Sequence, residues 1–371
     1  MKILHTADLH IGAELSYLGR LAQSRRYEVF EVFKNITEIC TKENVEICLI
    51  AGDLFDSTAA TKEFFEPVCR FISSAANTRF FYVAGNHDPL FASSPFVTEN
   101  LPDNLTVFGG DFETVIDQKI GVRVTGRSFT RSSSEFCDME PMPQDGLYNI
   151  LLLHADYSGG EDNYFPINRS FIENCGADYL ALGHIHKRTS VQKIVNTYVS
   201  YCGCPEGQGF DESGVKGVYC GEISKDSFDL KFIKCSKRLH IVKNFDLTLC
   251  ENTKAATELI ENSLQNEFGD SYTENLYKLT LAGSPSDIKA VNIQELTADL
   301  TSKLYFVKIK SRITPKIDLE LLSKEISLKG IFVKNMLEKI GSADEQNQTA
   351  LNEALYLGLK AFDSEVAYDE D

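Results

Sequence analysis

Apolar positions along the chain fall into two rhythms. Short runs of β-branched, aromatic or aliphatic residues occur at Ile3–Leu4, Ile47–Ile50, Phe80–Val83, Ile150–Leu153 and Tyr179–Leu182. Such unbroken apolar runs are expected of strands buried on both faces. Between the first three lie stretches of helical period. Tyr27, Phe30, Phe33 and Ile36 recur at three-residue steps within 21–40, and Phe64, Phe65, Val68, Phe71 and Ile72 mark a core face within 61–76. The first ninety residues therefore predict β-α-β-α-β, with parallel neighbours and right-handed crossovers.

From about 104 the pattern changes to short strands, expected at 105–108, 113–116, 121–126 and 148–154, with a polar loop over 130–145. A helix at 167–175 precedes a strand at 178–182. Residues 190–235 return to short strands around a turn-rich loop, Gly203–Glu212. A second alternating unit follows, with strands at 240–247, 276–282 and 304–313 and helices at 255–268 and 288–300. Pro315 ends it. Residues 318–361 carry helical periodicity, and 363–371 form an acidic tail expected to fray. The expected domains are 1–238, 239–315 and 316–371.

The strand ends carry the chemistry. The first strand leads into Asp8 and His10, the second into Gly52 and Asp53, and the third into Gly85, Asn86, His87 and Asp88. The later two lead into His154 and into Gly183, His184, Ile185 and His186. Open α/β sheets place their sites at the carboxyl ends of strands. The chain has seven His. All but His5 and His240 fall in these segments. Asp8, His10, Asp53, Asn86, His154, His184 and His186 form a mixed N/O donor set that suits two divalent ions such as Mn2+, Fe2+ or Zn2+ rather than a thiolate site. Alternate residues of a strand point to opposite faces. Asp-x-His and His-x-His can converge only where the strand breaks, and Gly12 and Gly183 are consistent with that break.

Composition restrains the picture. The net charge is −17. Residues 1–240 hold 23 Lys+Arg against 32 Asp+Glu, and residues 241–371 hold 14 against 22. Neither half binds duplex nucleic acid by bulk charge, so such contact needs a local site, the metals or a partner chain. Arg20, Arg25 and Arg26 are expected to be solvated surface or contacts to substrate phosphates. Ten Cys without a C-x-x-C pair predict reduced thiols and a cytoplasmic location. Cys202 and Cys204 are too closely spaced for a structural zinc knot. No apolar run is long enough to span a membrane, and no secretory leader is expected before a donor at position 8.

The segments Asp8-x-His10, Gly52-Asp53, Gly85-Asn86-His87-Asp88, the lone His154 and Gly183-His184-x-His186, in this order, resemble the calcineurin-like metallophosphoesterases over roughly residues 1–235. The resemblance implies an α/β (α+β, four-layer) fold of two facing β-sheets flanked by helices. It also implies that Asp8, His10, Asp53 and His186 hold one ion, and that Asp53, Asn86, His154 and His184 hold the other, with Asp53 bridging. His87 would be the acid that protonates the leaving oxygen, oriented by Asp88.

Within that superfamily, the opening residues Ile3–His10, the run Gly52–Asp56 and the small α/β module after the first domain are most similar to the SbcD-type DNA repair exonucleases. That similarity implies a small α/β cap, hydrolysis of DNA phosphodiesters and a coiled-coil ATPase partner of the SbcC type. Two ions roughly 3.5–4 Å apart would clamp the phosphate and generate hydroxide near neutral pH, most simply with Mn2+, or with Fe2+, Zn2+ or Mg2+. The C-terminal helical segment offers Ile317, Leu319, Leu321, Leu322, Ile326, Leu328, Ile331, Phe332, Leu337 and Ile340 as an apolar face, either to pack on the chain's own cap or to dock the partner. The competing readings are a phosphodiesterase or phosphatase acting on a small nucleotide or phosphoprotein, and a non-catalytic scaffold. Homodimerisation and the role of the Gly203–Glu212 loop stay open.

Overall fold

The computed structural model describes residues 1–157, 164–285, 291–314 and 318–362. In chain order the first elements are β1 (Lys2–Thr6), α1 (Ala22–Lys42), β2 (Ile47–Ala51), α2 (Thr58–Ser74), β3 (Arg79–Val83), α3 (Pro95–Thr98) and β4 (Leu105–Val107). Next come β5 (Glu113–Asp117), β6 (Val122–Arg127), β7 (Tyr148–His154), α4 (Arg169–Asn174) and β8 (Tyr179–Gly183). The strands β9 (Gln192–Ile194), β10 (Thr197–Tyr201), β11 (Gly217–Ile223) and β12 (Phe228–Lys234) complete the two large sheets.

The first sheet has the order β12-β11-β1-β2-β3-β4, and the second β5-β6-β7-β8-β10-β9. As the alternation of strand and helix predicts, β1, β2 and β3 are parallel neighbours, with Ile3 opposite Ile47 and Ile47 opposite Arg79. Strand β11 adds antiparallel to β1, so the sheet is mixed.

Continuous apolar runs are needed because each central strand is covered twice. Ile3, Leu49, Phe81 and Val83 of the first sheet pack against Val124, Ile150, Leu152 and Tyr179 of the second. The alternate residues Leu4, Cys48, Ile50 and Phe80 pack with Phe33, Phe64 and Val68 of α1 and α2. On the far side, Leu151, Leu153 and Leu180 meet Phe171 and Ile172 of α4. This is the expected architecture of two facing sheets flanked by helices. Burying each of these large side chains contributes roughly 1.5–3 kcal/mol. The central strands are thus the stable frame from which the loops at their ends project.

The remaining elements are β13 (His240–Asp246), α5 (Thr253–Phe268), β14 (Leu276–Gly283), α6 (Ile293–Lys303), β15 (Phe306–Ile313), α7 (Leu319–Leu322), α8 (Leu328–Ser342) and α9 (Glu345–Phe362). Strands β13, β14 and β15 form a three-stranded sheet in that order. The chain divides into two compact units. One comprises Met1–Lys243, Phe268–Leu279 and Lys303–Lys308; the other comprises Asn244–Glu267, Thr280–Ser302 and the described residues from Ile309 onward.

Helix boundaries shift where caps decide them. Helix α2 begins at Thr58 because Ser57 Oγ accepts the N–H of Ala60 at 3.2 Å. The single helical stretch expected over 318–361 is three helices. Asp318 caps α7, and Ser327 caps α8 by accepting the N–H of Gly330 at 3.0 Å. Helices α8 and α9 bury Val333, Met336, Leu355 and Leu359 between them. Pro315, Ile317 and the 363–371 tail lie outside the described residues. Among the described residues no helix is long and apolar enough to cross a membrane, and none of the ten cysteines forms a disulfide.

Candidate metal centre

Five strand ends converge. The segments after β1 and β2 run side by side, with the N–H of Asp8 donating to Gly52 O at 3.1 Å and that of His10 to Asp53 O at 3.0 Å. Their strands break sharply. Asp8 (φ 52°), His10 (φ 47°), Asp53 (φ 47°) and His184 (φ 101°) all adopt positive φ. A non-glycine residue held there costs about 1–3 kcal/mol and persists only when its surroundings force it. Four such residues among seven candidate donors give this backbone a functional signature. The turn at Asp8 and His10 is also what lets an Asp-x-His pair aim at one point.

Two glycines make the convergence possible. A Cβ on Gly85 would lie 2.1 Å from Asp53 Oδ1, and one on Gly183 would lie 1.8 Å from Ala51 O. Only a bare backbone fits at either place.

The side chains meet around Asp53. Its Oδ2 lies 3.6 Å from His10 Nε2 and 3.4 Å from His154 Nε2, while its Oδ1 accepts the N–H of His87 at 2.9 Å. On one side the Nε2 atoms of His10 and His186 are 3.1 Å apart, and Asp8 groups with both. On the other, His154 Nε2 is 2.9 Å from Asn86 Oδ1, and Asp8, Asp53 and His154 form a second group. The His184 ring stands edge-on to that of His154 with centroids 5.2 Å apart, and its backbone N–H donates to Asp8 Oδ1 at 2.9 Å. All seven candidate donors are therefore brought together. His87 stands over them with its side chain 45% exposed and its ring centroid 4.6 Å from that of His10.

The electrostatics are those of carboxylates and imidazoles pressed together. Burial opposes charge on His154, but Asp53 and Asp8 outweigh it and raise its pKa to about 9. His10 is likewise raised to about 9 against burial, by its hydrogen bond to Asp56 and the charges of Asp53 and Asp8. His184 goes the other way, lowered to about 4 by burial and the charge of His154. Burial pushes Asp53 up, yet the neighbouring His154 and His10 bring it well below the usual carboxylate range. Carboxylate oxygens of Asp8 and Asp53 thus lie among the ring nitrogens of His10, His154 and His186. Divalent cations answer that arrangement, and the residues fit two of them.

The surroundings differ from the sequence expectation in three places. Asp88 does not face the His87 ring. Its Oδ1 accepts the N–H of Gly85 at 2.8 Å, and its Oδ2 accepts Phe55 N–H at 2.9 Å and Tyr82 O–H at 2.6 Å. Those bonds pin the two donor loops together and leave Asp88 no reach toward the ring. Asp56 is the neighbour instead, with its carbonyl 3.2 Å and its Oδ1 3.8 Å from His87 Nδ1.

Arg25 is neither surface nor substrate contact: it is fully buried between Glu28 and Glu206. Arg26 is held by Gly12 O and Glu63. Glu212, in the loop whose role stayed open, bonds His186 Nδ1 directly. No local pattern announced it, because the contact spans 26 residues and joins two loops. Cys204 lies beside it, its thiol held well above the ordinary range by burial, and groups with His186 and Glu212.

Comparison with known proteins accords with this geometry. The model of the family described as calcineurin-like phosphoesterase matches residues 1–188. The chain is 25% identical over 310 residues to YhaO of Bacillus subtilis, an uncharacterised metallophosphoesterase, covering 78% of this chain and 71% of that protein. It is 25% identical over 243 residues to the DNA double-strand break repair protein Mre11 of Saccharolobus solfataricus, covering 61% of each. It is also 25% identical over 249 residues to the D component of the nuclease SbcCD of Staphylococcus epidermidis, covering 57% of this chain and 63% of that protein. The last two matches span less than two thirds of the relatives' own length. A matched family model over half the chain, ending just beyond His186, together with clustered His and Asp typical of a dinuclear site, makes this protein a member of the calcineurin-like phosphoesterases, the metal-dependent hydrolases of phosphate esters.

Proposed function

We propose that the protein hydrolyses phosphodiester bonds in DNA with two divalent ions, most simply Mn2+. The observation that carries the dinuclear reading is Asp53, whose single oxygen Oδ2 lies within 3.6 Å of an imidazole nitrogen from each half of the cluster. Asp8, His10, Asp53 and His186 would hold one ion, and Asp53, Asn86, His154 and His184 the other. When bound, the ions supply Lewis-acid charge against the phosphoryl oxygens and lower the pKa of attacking water.

The chain's own residues do the rest. Asp53 spans both positions, and its Oδ1 holds the backbone of His87 in place. His87 is the exposed group of the cluster, so it can reach a leaving oxygen that the buried donors cannot. Its ring, steadied by the carbonyl and carboxylate of Asp56, donates the proton to the departing sugar oxygen. Asp88 acts on His87 only through the backbone, by bracing Gly85 and Phe55.

DNA as substrate is supported by the two relatives named for break repair and for the nuclease SbcCD. Those names also support an ATPase partner of the SbcC type. An acidic chain needs such a partner to concentrate duplex near the site. The exposed apolar residues of the helical segment, Leu321, Ile326, Leu328, Ile331 and Leu357, offer a surface for it. Ten free cysteines support a reducing, cytoplasmic setting. The test is incubation of metal-free protein with Mn2+ and, side by side, labelled duplex DNA and bis(p-nitrophenyl) phosphate. Cleavage of DNA supports the reading. Turnover of the small diester alone replaces it with a nucleotide or phosphoprotein phosphoesterase.

A further inference from the structure

The loop between β10 and β11 carries residues that the hydrolytic mechanism does not use, and they converge on one half of the candidate centre. The Glu212 carboxylate serves three partners. One oxygen accepts from the ring Nδ1 of His186, and the other accepts the backbone N–H of Gln208 at 2.8 Å and the Cys204 thiol at 3.5 Å. Gln208 passes the connection on, its side-chain Nε2 donating to Leu9 O at 2.8 Å and to His10 O at 3.2 Å. One short loop therefore grips both His10, from the start of the chain, and His186, from beyond β8. The His186 backbone is held as well: its carbonyl accepts Cys204 N–H at 3.2 Å and Lys216 Nζ at 3.0 Å. Gly203 has φ 70°, and a Cβ there would lie 2.8 Å from that carbonyl, so the loop presses directly against the His186 segment.

The loop is itself anchored. Glu206 is buried and pairs with the fully buried Arg25, which also donates to Gly207 O at 3.0 Å. The second oxygen of Glu206 accepts Lys237 N–H at 2.6 Å. Tyr17 O–H donates to Gln208 O at 2.9 Å. Buried ion pairs add little net stability, but they do fix position.

In the other half of the centre, the Nδ1 of His154 bonds a neutral carbonyl, Ala51 O, at 2.9 Å, with Asp8 Oδ1 3.8 Å away. Imidazole that binds a metal through one nitrogen commonly donates its other N–H to a carboxylate, which fixes the tautomer and raises the basicity of the ligating atom.

We propose that Glu212 is a positioning residue for one of the two metals: it holds the His186 proton on Nδ1 so that Nε2 faces His10, while Gln208 keeps the His10 segment in register. The proposal rests on the dinuclear reading of the centre. It predicts that the two ions depend on the loop unequally.

The test uses the full-length protein, stripped of metal and titrated with Mn2+, with free Mn2+ followed by electron paramagnetic resonance. Wild type should take up two ions. Glu212→Gln should weaken one of them by about 10- to 100-fold and leave the other at its wild-type affinity. Glu212→Asp should recover part of the loss, and Gln208→Ala should weaken the same ion to a smaller degree. Ring 15N spectra of the metal-free protein provide the readout that a merely structural role would not move. The His186 signal should be that of an Nδ1–H imidazole in wild type and should lose that character in Glu212→Gln. Two ions at wild-type affinity in Glu212→Gln, or equal weakening of both, overturns the positioning role and leaves the dinuclear reading intact. Fewer than two ions on wild type overturns both. Should Glu212→Gln fail to fold, Gln208→Ala decides the same question by the same titration.

Discussion

Gly52 and His154 occupy nearly the same space: a Cβ on Gly52 would lie 2.2 Å from Nδ1 of the His154 ring. Gly52 also has φ 91°, a conformation that other residues adopt only under strain. The imidazole can therefore approach the end of β2, and bond Ala51 O, only because the next residue has no side chain. Gly52→Ala should destabilise the protein by about 1–3 kcal/mol through the backbone alone. It should also push His154 off its carbonyl and lower occupancy of the ion nearest it. Thermal melts and metal analysis on one preparation check this. A variant with wild-type melting and two ions per chain would show that the loop relaxes without cost.

Asp53 stands between the two halves of the centre, so its loss should not be confined to one. Asp53→Ala should abolish phosphodiester hydrolysis and lower metal content at both positions. EDTA should silence wild type, and Mn2+ should restore it better than Mg2+, because imidazole donors favour the softer ion. Retention of two tightly bound ions in Asp53→Ala contradicts the bridging role.

His87 is the exposed imidazole of the cluster and also groups with His10 and Asp53, so the proposed role as proton donor must be told apart from ligation. His87→Asn should keep both ions. On substrates with a poor leaving group, turnover should fall by about 10²–10⁴-fold. A nitrophenolate leaving group needs no proton, so its release should suffer far less. Equal losses on the two substrates would place His87 elsewhere in the mechanism.

His5 lies outside the centre and sets a pH dependence of its own. It is fully buried, its Nδ1 lies 2.7 Å from Tyr179 Oη, and burial lowers its pKa to about 3. An unfolded chain would protonate this group near its ordinary value of 6.5. The unfolded state thus binds the extra proton between those limits. The stability that depends on neutral His5 is present above about pH 6.5 and is lost as pH falls toward 3, at up to about 1.4 kcal/mol per pH unit. Urea unfolding of metal-free protein between pH 4 and 7 should show a shallower loss for His5→Gln than for wild type. Parallel slopes would mean that His5 takes up its proton without unfolding.

The helical segment separates its apolar residues into two sets. Val333, Met336, Leu355 and Leu359 are buried between α8 and α9, whereas Leu328 is 79% exposed and Leu321 64%. Charging the exposed set, as in Leu321→Glu with Leu328→Glu, should leave the melting temperature and small-diester turnover unchanged. It should abolish co-purification with a coiled-coil ATPase co-expressed from the same source. A double variant that still binds the ATPase at full strength moves the interface off this face.

Much of the frame was legible in the sequence because strands covered on both faces must be apolar throughout. Short unbroken runs such as Ile47–Ile50 and Ile150–Leu153 suit a doubly covered strand and would be costly to expose. The parallel order of β1, β2 and β3 followed from the helices between them. The C-terminal stretch was less legible. Helical period alone does not locate a cap, so the break at Ser327 leaves no trace in the spacing. The apolar face read from that spacing mixed half-buried residues such as Leu337 with exposed ones such as Leu328.

The sequence by itself determined which residue types stand at the strand ends, and so which donors could meet. Asp, Asn and His recur immediately after apolar runs, and that order is local information. Tertiary structure alone decided what surrounds them. Asp88 turned to backbone amides rather than to His87, and Asp56 took the place beside that ring. Arg25 went inside because Glu206, 181 residues away, was there to pair with it. Glu212 found His186 because two loops that share no sequence pattern are folded against each other. A donor is announced by its own chemistry, but its partner is fixed by which distant segment the fold brings within about 3 Å, the reach of a hydrogen bond.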